Sequence, residues 1–375
     1  MKIFTKRNQA PYRCDVVGSF LRPEQLKKAR EQFANGTITR EQLKEVEDKE
    51  IRKLVEKQIQ AGLSSVTDGE FRRSYWHLDF MWGFDGIEHV TMERGYLFHG
   101  EETRPDSARV TGNIQFHSHP FLEHFRFLKE VVGDRATIRQ TIPAPAQFFS
   151  ELVRGENEQY LDQVYPNRED AYHDLTKAYH DFILALYEEG CRNLQLDDCT
   201  WGMLCDENYW RSKMNGQYDL EGTKQLYVRL NNEAIANLPD DLIITTHVCR
   251  GNYHSTWASR GGYGAVAKSL LQEEQVDAYY LEFDDERSGD FTPLKELPED
   301  KMVVLGLVTT KRPQLEKKED IIARIKEASK YVSLDRLCLS PQCGFASTEE
   351  GNMLTEEEQW AKIQFVQEIA KEVWG

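Results

Sequence analysis

Four residues in the second half of the 375-residue chain carry the donor atoms that a soft divalent cation prefers: His247 and Cys249, then Glu282 and Cys343. One imidazole nitrogen, two sulfurs and a carboxylate oxygen can surround a metal tetrahedrally once the thiols ionise, and the sulfurs favour zinc over magnesium or calcium. His-x-Cys on a strand places both side chains on one face. Plainer alternatives stand beside this reading. A cysteine in a buried strand is commonly a packing residue, and an acid such as Glu282 at a strand end is commonly satisfied by an arginine. Cys191, Cys199, Cys205 and Cys338 take that packing role by default. Asp284, Asp285 and Glu286 read as solvated loop charges, and His117, His119 and His254 as surface histidines.

The elements that must position these residues are short apolar runs alternating with helical patterns, which favours a parallel sheet. The runs are Asp15–Phe20, Ser65–Glu70, Ala136–Ile142, Asn193–Asp198, Leu242–Cys249, Tyr279–Phe283, Met302–Val308 and Arg336–Pro341. Eight runs suit one closed (β/α)8 TIM barrel of the α/β class, spanning residues 1–375. Ser19, Glu70, Asp197 with Asp198, His247 with Cys249, Glu282, Thr309 with Lys311, and Cys343 each sit at or just past the C-terminal end of a run, which is the catalytic rim of such a barrel. Helical patterns cover 23–60, 168–189, 222–237, 319–331 and 355–374, the last opened by a capping box at Thr355 and Glu358. Two stretches exceed a minimal barrel. Residues 72–119, containing the segments 86–91 and 95–100, read as a β-hairpin excursion after the second strand, and 155–167 as a polar insertion. A doubly wound open sheet is the alternative, but no Gly-x-Gly-x-x-Gly turn follows the first run and no Walker pattern occurs.

Composition narrows the partners. With 63 acidic against 47 basic residues the formal charge is -16, which opposes binding to nucleic acid or an anionic membrane surface. The first twenty residues contain no continuous apolar core of a signal peptide, and no stretch approaches the roughly 20 apolar residues of a membrane span. A cytoplasmic protein is expected. Seven cysteines spread along the chain do not make a secreted disulfide framework, so metal ligation and packing are their expected uses.

At the candidate metal residues the sequence resembles cobalamin-independent methionine synthase, specifically its C-terminal catalytic barrel and shorter bacterial relatives of it. The resemblance rests on Thr246-His-Val-Cys-Arg-Gly-Asn252, Tyr280-Leu-Glu-Phe283 and Leu339-Ser-Pro-Gln-Cys-Gly344, of which Pro-x-Cys-Gly is the most specific, and it runs through nearly the whole chain. It implies that His247, Cys249, Glu282 and Cys343 bind Zn2+ as cofactor. Val17-Gly-Ser-Phe20 resembles the segment holding the carboxylate of homocysteine, although Ser19 alone would pass for a helix N-cap or a turn residue. Asp68-Gly-Glu70 and Leu196-Asp-Asp198 resemble the carboxylate-bearing strand ends, so Glu70 and Asp197 would bind the substrate ammonium. The implied partners are homocysteine or a similar small thiol and a methyl donor, which in the family is a methylated folate.

Two departures from the folate-dependent pattern concern that donor. The segment Gly306-Leu-Val-Thr-Thr-Lys-Arg-Pro313 has Thr309 and Lys311 where the synthase carries an Asp and a His, so Lys311 is the candidate catalytic proton donor, or else an anchor for a phosphate or carboxylate. Thr141-Ile-Pro-Ala-Pro-Ala-Gln-Phe-Phe149 ends in Phe149 where the family's pterin-side segment has a tryptophan, and Phe stacks more weakly. Three competing readings remain. They are zinc-dependent hydrolysis or lyase chemistry, disfavoured by two sulfur ligands; a structural zinc in a binding module; and a tetrapyrrole decarboxylase, which needs no His-x-Cys element.

Overall fold

The computed structural model describes residues 7–213 and 218–375, so the first six residues of the expected barrel lie outside the described residues. Its strands are β1 Ser65–Val66, β2 Asp85–Thr91, β3 Asp106–Gln115, β4 Thr137–Ile138, β5 Gln140–Pro143, β6 Asn193–Asp198, β7 Ile243–Val248, β8 Ala278–Glu282, β9 Met302–Val308 and β10 Leu337–Pro341. Six of the expected runs form one parallel sheet in the order β5-β6-β7-β8-β9-β10. These strands are buried along nearly their whole length, as parallel strands covered by helices on one side and a filled barrel interior on the other must be.

The remaining two staves are joined by sparser bonds. Cys14 pairs with Leu339 of β10, β1 pairs with β4, and between them Phe20 N donates to the Gly69 carbonyl (3.1 Å) while Thr67 Oγ1 donates to that of Gly18 (2.5 Å). These contacts complete the ring of neighbours in a (β/α)8 barrel. The expected strand 15–20 is extended chain rather than a ladder. Gly18 there passes so close to its neighbours that a Cβ would stand 2.9 Å from Thr141 Cγ2. The expected strand 136–142 is split at Arg139, whose guanidinium turns inward to Asp15 (2.7 Å) and the Tyr280 hydroxyl (2.6 Å). That fully buried ion pair fills the barrel interior, and its hydrogen bonds offset the desolvation of both charges.

The helices follow their local signals with two differences from the expected pattern, and the hairpin adds a third. The segment 23–60 is two helices, Glu24–Ala34 and Arg40–Gln60. Gly36 at φ +74 breaks it, and Thr39 with Gln42 forms a capping box that starts the second helix. The polar insertion contains a short helix, Asn157–Val164. The hairpin exists, but its return arm is β3 rather than 95–100. Ser107, Ala108, Val110 and Ile114 bury against the core, whereas Leu97 at the tip is exposed. The Thr355–Glu358 capping box opens the last helix, Glu356–Trp374.

Candidate active site

The register of the sheet assembles the site. Asp197 of β6 lies opposite His247 of β7, and His247 opposite Tyr280 of β8. Cys249 follows the end of β7, Glu282 closes β8, and Cys343 lies in the loop after β10. The ligand atoms of His247, Cys249, Glu282 and Cys343 therefore all lie within 4.8 Å of one another, on four buried residues. The two sulfurs are 3.7 Å apart.

Hydrogen bonding shows what the group is suited to hold. His247 directs Nδ1–H at the Tyr280 carbonyl (3.3 Å), which leaves Nε2 facing its neighbours without a protein partner. A carbonyl behind one ring nitrogen is the usual device that fixes the tautomer of a metal-ligating histidine. Both Glu282 oxygens also lack hydrogen-bond partners. Buried polar atoms are seldom left unpaired, and three of them beside two thiols fit a bound cation. Charge points the same way. The Cys199 and Cys343 thiols, with His247, hold the Cys249 thiol well below its ordinary range. Burial alone would lower His247, yet it is raised, first by the accepting Cys249 sulfur beside it and then by the negative charge of Cys249, Asp197 and Glu282. Burial, then Cys249, pushes Glu282 up to about 7. Acidic groups converge here beyond what nearby cations neutralise, the electrostatic condition for holding a divalent ion.

Side-chain amides tie the ligand-bearing loops together. Asn252 Nδ2 donates to the Gly344 carbonyl (2.8 Å), Asn352 Nδ2 donates to Asn252 Oδ1 (2.9 Å), and Thr310 N donates to Gln342 Oε1 (2.6 Å). Such outer contacts fix the orientation of a metal-ligand set. Residue 344 has room only for glycine, since a Cβ would stand 1.9 Å from Ser19 Oγ.

Over the group lies a cavity of about 1010 Å³ lined by Ser19, Glu70, Asp197, His247, Cys249 and Cys343, among others. Ser19 Oγ accepts from Ala346 N (3.3 Å), which leaves its hydroxyl proton to donate. Glu70 has φ +62, a left-handed backbone costly for a non-glycine residue. Asp68 Oδ1 supports the bend by accepting from Glu70 N (2.8 Å). The bend turns the carboxylate inward, where Oε1 meets Thr141 Oγ1 (2.8 Å) and Arg73 Nη1 (3.2 Å) while Oε2 has no partner. Asp197 Oδ1 accepts from Gln195 Nε2 (2.8 Å). Burial raises both carboxyls, and Asp197, with the charge of Glu70 adding to burial, is pushed up to about 7. Two acids that disfavour each other's ionisation make a receptor for a small cation.

The excursion supplies part of the cavity wall through Trp76, Tyr96, Leu97, Phe98 and Thr103, and Phe149, Tyr172 and Tyr227 add further aromatic surface. Its tip rests on the loop that follows Cys249. His99 N donates to the Trp257 carbonyl (2.8 Å), the His99 ring stacks on Trp257 with centroids 4.7 Å apart, and Phe98 packs on Tyr253.

Several expectations need revision. Lys311 does not line the cavity. Its ammonium is buried without a hydrogen-bond partner, close enough to Glu282, Asp284 and Cys343 to favour their charged forms. Asp284 is not a solvated charge but is buried and bonded to Arg287 Nη2 (3.3 Å). His119 is likewise buried, accepting from Phe121 N as a helix N-cap. Cys199 is half-buried, lines the cavity and reaches the Cys249 sulfur rather than packing in the core. Its place directly after the strand-end pair Asp197-Asp198 was the signal available for it. Cys191, Cys205 and Cys338 are buried as expected.

Fold and site together define a (β/α)8 barrel with a thiol-rich group able to hold a metal at its C-terminal rim and two buried acids beside it. Residues 158–371 match the catalytic domain of the cobalamin-independent synthase, and the chain belongs to that family. It is 48% identical to YxjG, an uncharacterised protein of Bacillus subtilis strain 168, over 98% of this chain and 96% of that protein. It is 25% identical to a methionine synthase of Pyrococcus horikoshii, over 88% of this chain and 85% of that one. Among solved structures, the putative vitamin-B12-independent methionine synthase of Listeria monocytogenes superposes with a TM-score of 0.78 at 41% identity, covering 98% of this chain and all 100% of that one. The protein is a methyltransferase of this family. Among the described residues no helix is long and apolar enough to cross a membrane.

Proposed function

We propose that this chain moves a methyl group to the thiol of homocysteine, forming methionine, with zinc held by His247, Cys249, Glu282 and Cys343. The observation that carries the reading is the clustering of those four donors, with His247 Nε2 and both Glu282 oxygens unpartnered, under a cavity also lined by Ser19, Glu70 and Asp197. Two sulfur donors suit zinc better than any hard cation. When bound, zinc lowers the pKa of a coordinated thiol so that it is a thiolate near neutral pH.

The protein's own residues do the rest. Glu70 and Asp197 pair with the substrate ammonium, and the Ser19 hydroxyl donates to its carboxylate. Held at both ends, the amino acid directs its sulfur at the metal group. That pre-positioning supplies rate by converting a two-molecule encounter into a bound geometry. The aromatic surface of Trp76, Phe98, Phe149 and Tyr172 suits a methyl donor with a flat ring system, of which methylated reduced folate is the example. Residues 1–375 act as one catalytic barrel in this reading, with the 72–119 excursion closing the donor side.

Zinc-edge X-ray absorption on purified protein, with and without homocysteine, tests the proposal. The count of sulfur neighbours should rise from two to three when the substrate thiol binds. Zinc indifferent to added thiol would favour a structural metal instead.

A further inference from the structure

We infer that Arg287 and Lys311 form a second seat for the Glu282 carboxylate, which receives it when a substrate thiol takes its place at the metal. The inference rests on the thiol-exchange reading above and names the positioning residues that make exchange possible.

Of the four ligand residues, His247, Cys249 and Cys343 line the substrate cavity and Glu282 does not. Glu282 is 0% exposed and contributes nothing to the cavity wall. It is therefore the ligand whose departure leaves the substrate's approach unobstructed. A carboxylate leaving a metal inside a protein needs a new counter-charge, because an unpaired buried anion costs several kcal/mol.

Two cations favour the charged form of Glu282, Arg287 at 3.9 Å and the buried Lys311 ammonium farther off. Arg287 follows Glu282 by five residues, on a tight 3-10 turn, Glu286–Ser288, which the Asp285 side chain caps by accepting from Arg287 N (3.0 Å). The turn folds the guanidinium back so that Nη2 lies 3.9 Å from Glu282 Oε2. Arg287 Nε and Nη1 have no hydrogen-bond partner, and neither has the buried Lys311 ammonium. Asp284 and Asp285 balance part of this charge, at 3.3 Å and 3.5 Å from the guanidinium. Trp257, with its ring centroid 5.4 Å from the guanidinium carbon, limits where that group can go. Closing 3.9 Å to a charge-assisted hydrogen bond requires a movement of only about 1 Å. A shift of that size is within what a side-chain rotation supplies.

Both cations compete with the metal for the carboxylate, which gives their removal a sign that a merely structural role does not share. Zinc-loaded wild type, Lys311→Met, Arg287→Gln and Lys311→Arg are compared by two measurements. These are chelator competition for zinc affinity, and zinc-edge absorption during a homocysteine titration. Lys311→Met and Arg287→Gln should hold zinc as tightly as wild type or more tightly, with two sulfur neighbours at rest. They should need at least about tenfold more homocysteine to reach three, a cost of about 1.4 kcal/mol, and Lys311→Arg should restore the wild-type midpoint. Unchanged midpoints in the Met and Gln variants, or weakened zinc with an unchanged midpoint, overturn the inference while leaving thiol exchange intact. If Arg287→Gln does not fold, Lys311→Met decides alone. A wild type that stays at two sulfurs overturns thiol exchange itself, and this inference with it.

Discussion

Replacing Glu70 with glutamine should separate the recognition of the substrate's amine from every other part of the site. Oε1 is already occupied by Thr141 Oγ1 and Arg73, so an isosteric amide that keeps those two bonds must place its NH2 where Oε2 now lies unpartnered. An ammonium group only donates hydrogen bonds, so the variant loses a charge and turns an acceptor into a competing donor. Breaking a buried ion pair costs about 3–5 kcal/mol. Asp197 lines the same cavity and remains as a second anion, which puts the expected loss near the lower figure, about 3 kcal/mol or roughly 100-fold in Kd. Titration calorimetry on the zinc-loaded protein would compare homocysteine with 4-mercaptobutanoate, which has the same thiol and carboxylate but no amine. Only homocysteine should weaken, and zinc content should not change. Equal weakening of both thiols would mean that Glu70 supports the fold or the metal rather than the amine. No weakening of either would remove it from the pocket.

Cys343→Ser should lower zinc affinity by more than the roughly 10–100-fold typical of outer-sphere changes, abolish activity with it, and leave the far-ultraviolet circular dichroism of the barrel intact; full activity without zinc would end the metal reading. Gly344→Ala sets a Cβ 1.9 Å from Ser19 Oγ and 3.2 Å from Ser19 N, so chemical denaturation should show a loss of about 1–3 kcal/mol. Adding Ser19→Ala should recover only part of it, because the backbone contact remains. Glu274, away from the site, accepts from Trp201 Nε1 (2.9 Å) and Asn231 Nδ2 (2.6 Å), and burial raises it from 4.5 to about 8. Between those values the folded protein keeps a proton that the unfolded chain has released, so stability should fall as pH rises through the window, by on the order of 5 kcal/mol at its upper end. Glu274→Gln stays neutral at every pH, and its stability, measured by denaturation at pH 5 and pH 8, should lack that decline. Parallel pH profiles for the two proteins would refute the assignment.

The parts of this site that were legible in the sequence are those fixed by strand periodicity. His247 and Cys249 are two residues apart and so share a face, and each apolar run ends where a barrel presents its rim, which is why Glu70, Asp197 and Glu282 could be placed at the rim from sequence. The Pro-x-Cys-Gly element was legible only through the family resemblance, and the structure supplies its steric reason, since only glycine at 344 lets Cys343 pass Ser19. The parts that were not legible depend on which way a loop turns. Asp284, Asp285 and Glu286 look like one solvated acidic run, yet a single tight turn buries Asp284 and brings Arg287 back to Glu282. Cys199 looks like any packing cysteine until Gln147 Oε1, accepting from its backbone amide (3.1 Å), fixes the chain beside Cys249. The third run read as one strand because its residues are apolar enough. What splits it is the pairing of Arg139 with Asp15, 124 residues away in sequence.

The excursion is the element on which sequence said least, and its position has a mechanical consequence. A cavity of about 1010 Å³ lies at the upper end of the size usual for drug-like ligands and far exceeds one amino acid, so much of it is left for the methyl donor. The tip that walls this space also grips the segment after Cys249, through Phe98 on Tyr253 and His99 on Trp257, and Trp257 in turn packs over Arg287. A donor that displaced the tip should press, through Trp257, on the guanidinium that lies 3.9 Å from Glu282. Under the proposed function, the contacts from His99 to Trp257 and from Trp257 to Arg287 would link donor occupancy to the seat of Glu282, a coupling the homocysteine titration would read as a donor-dependent midpoint. A small residue at 257 should loosen that coupling without removing any ligand.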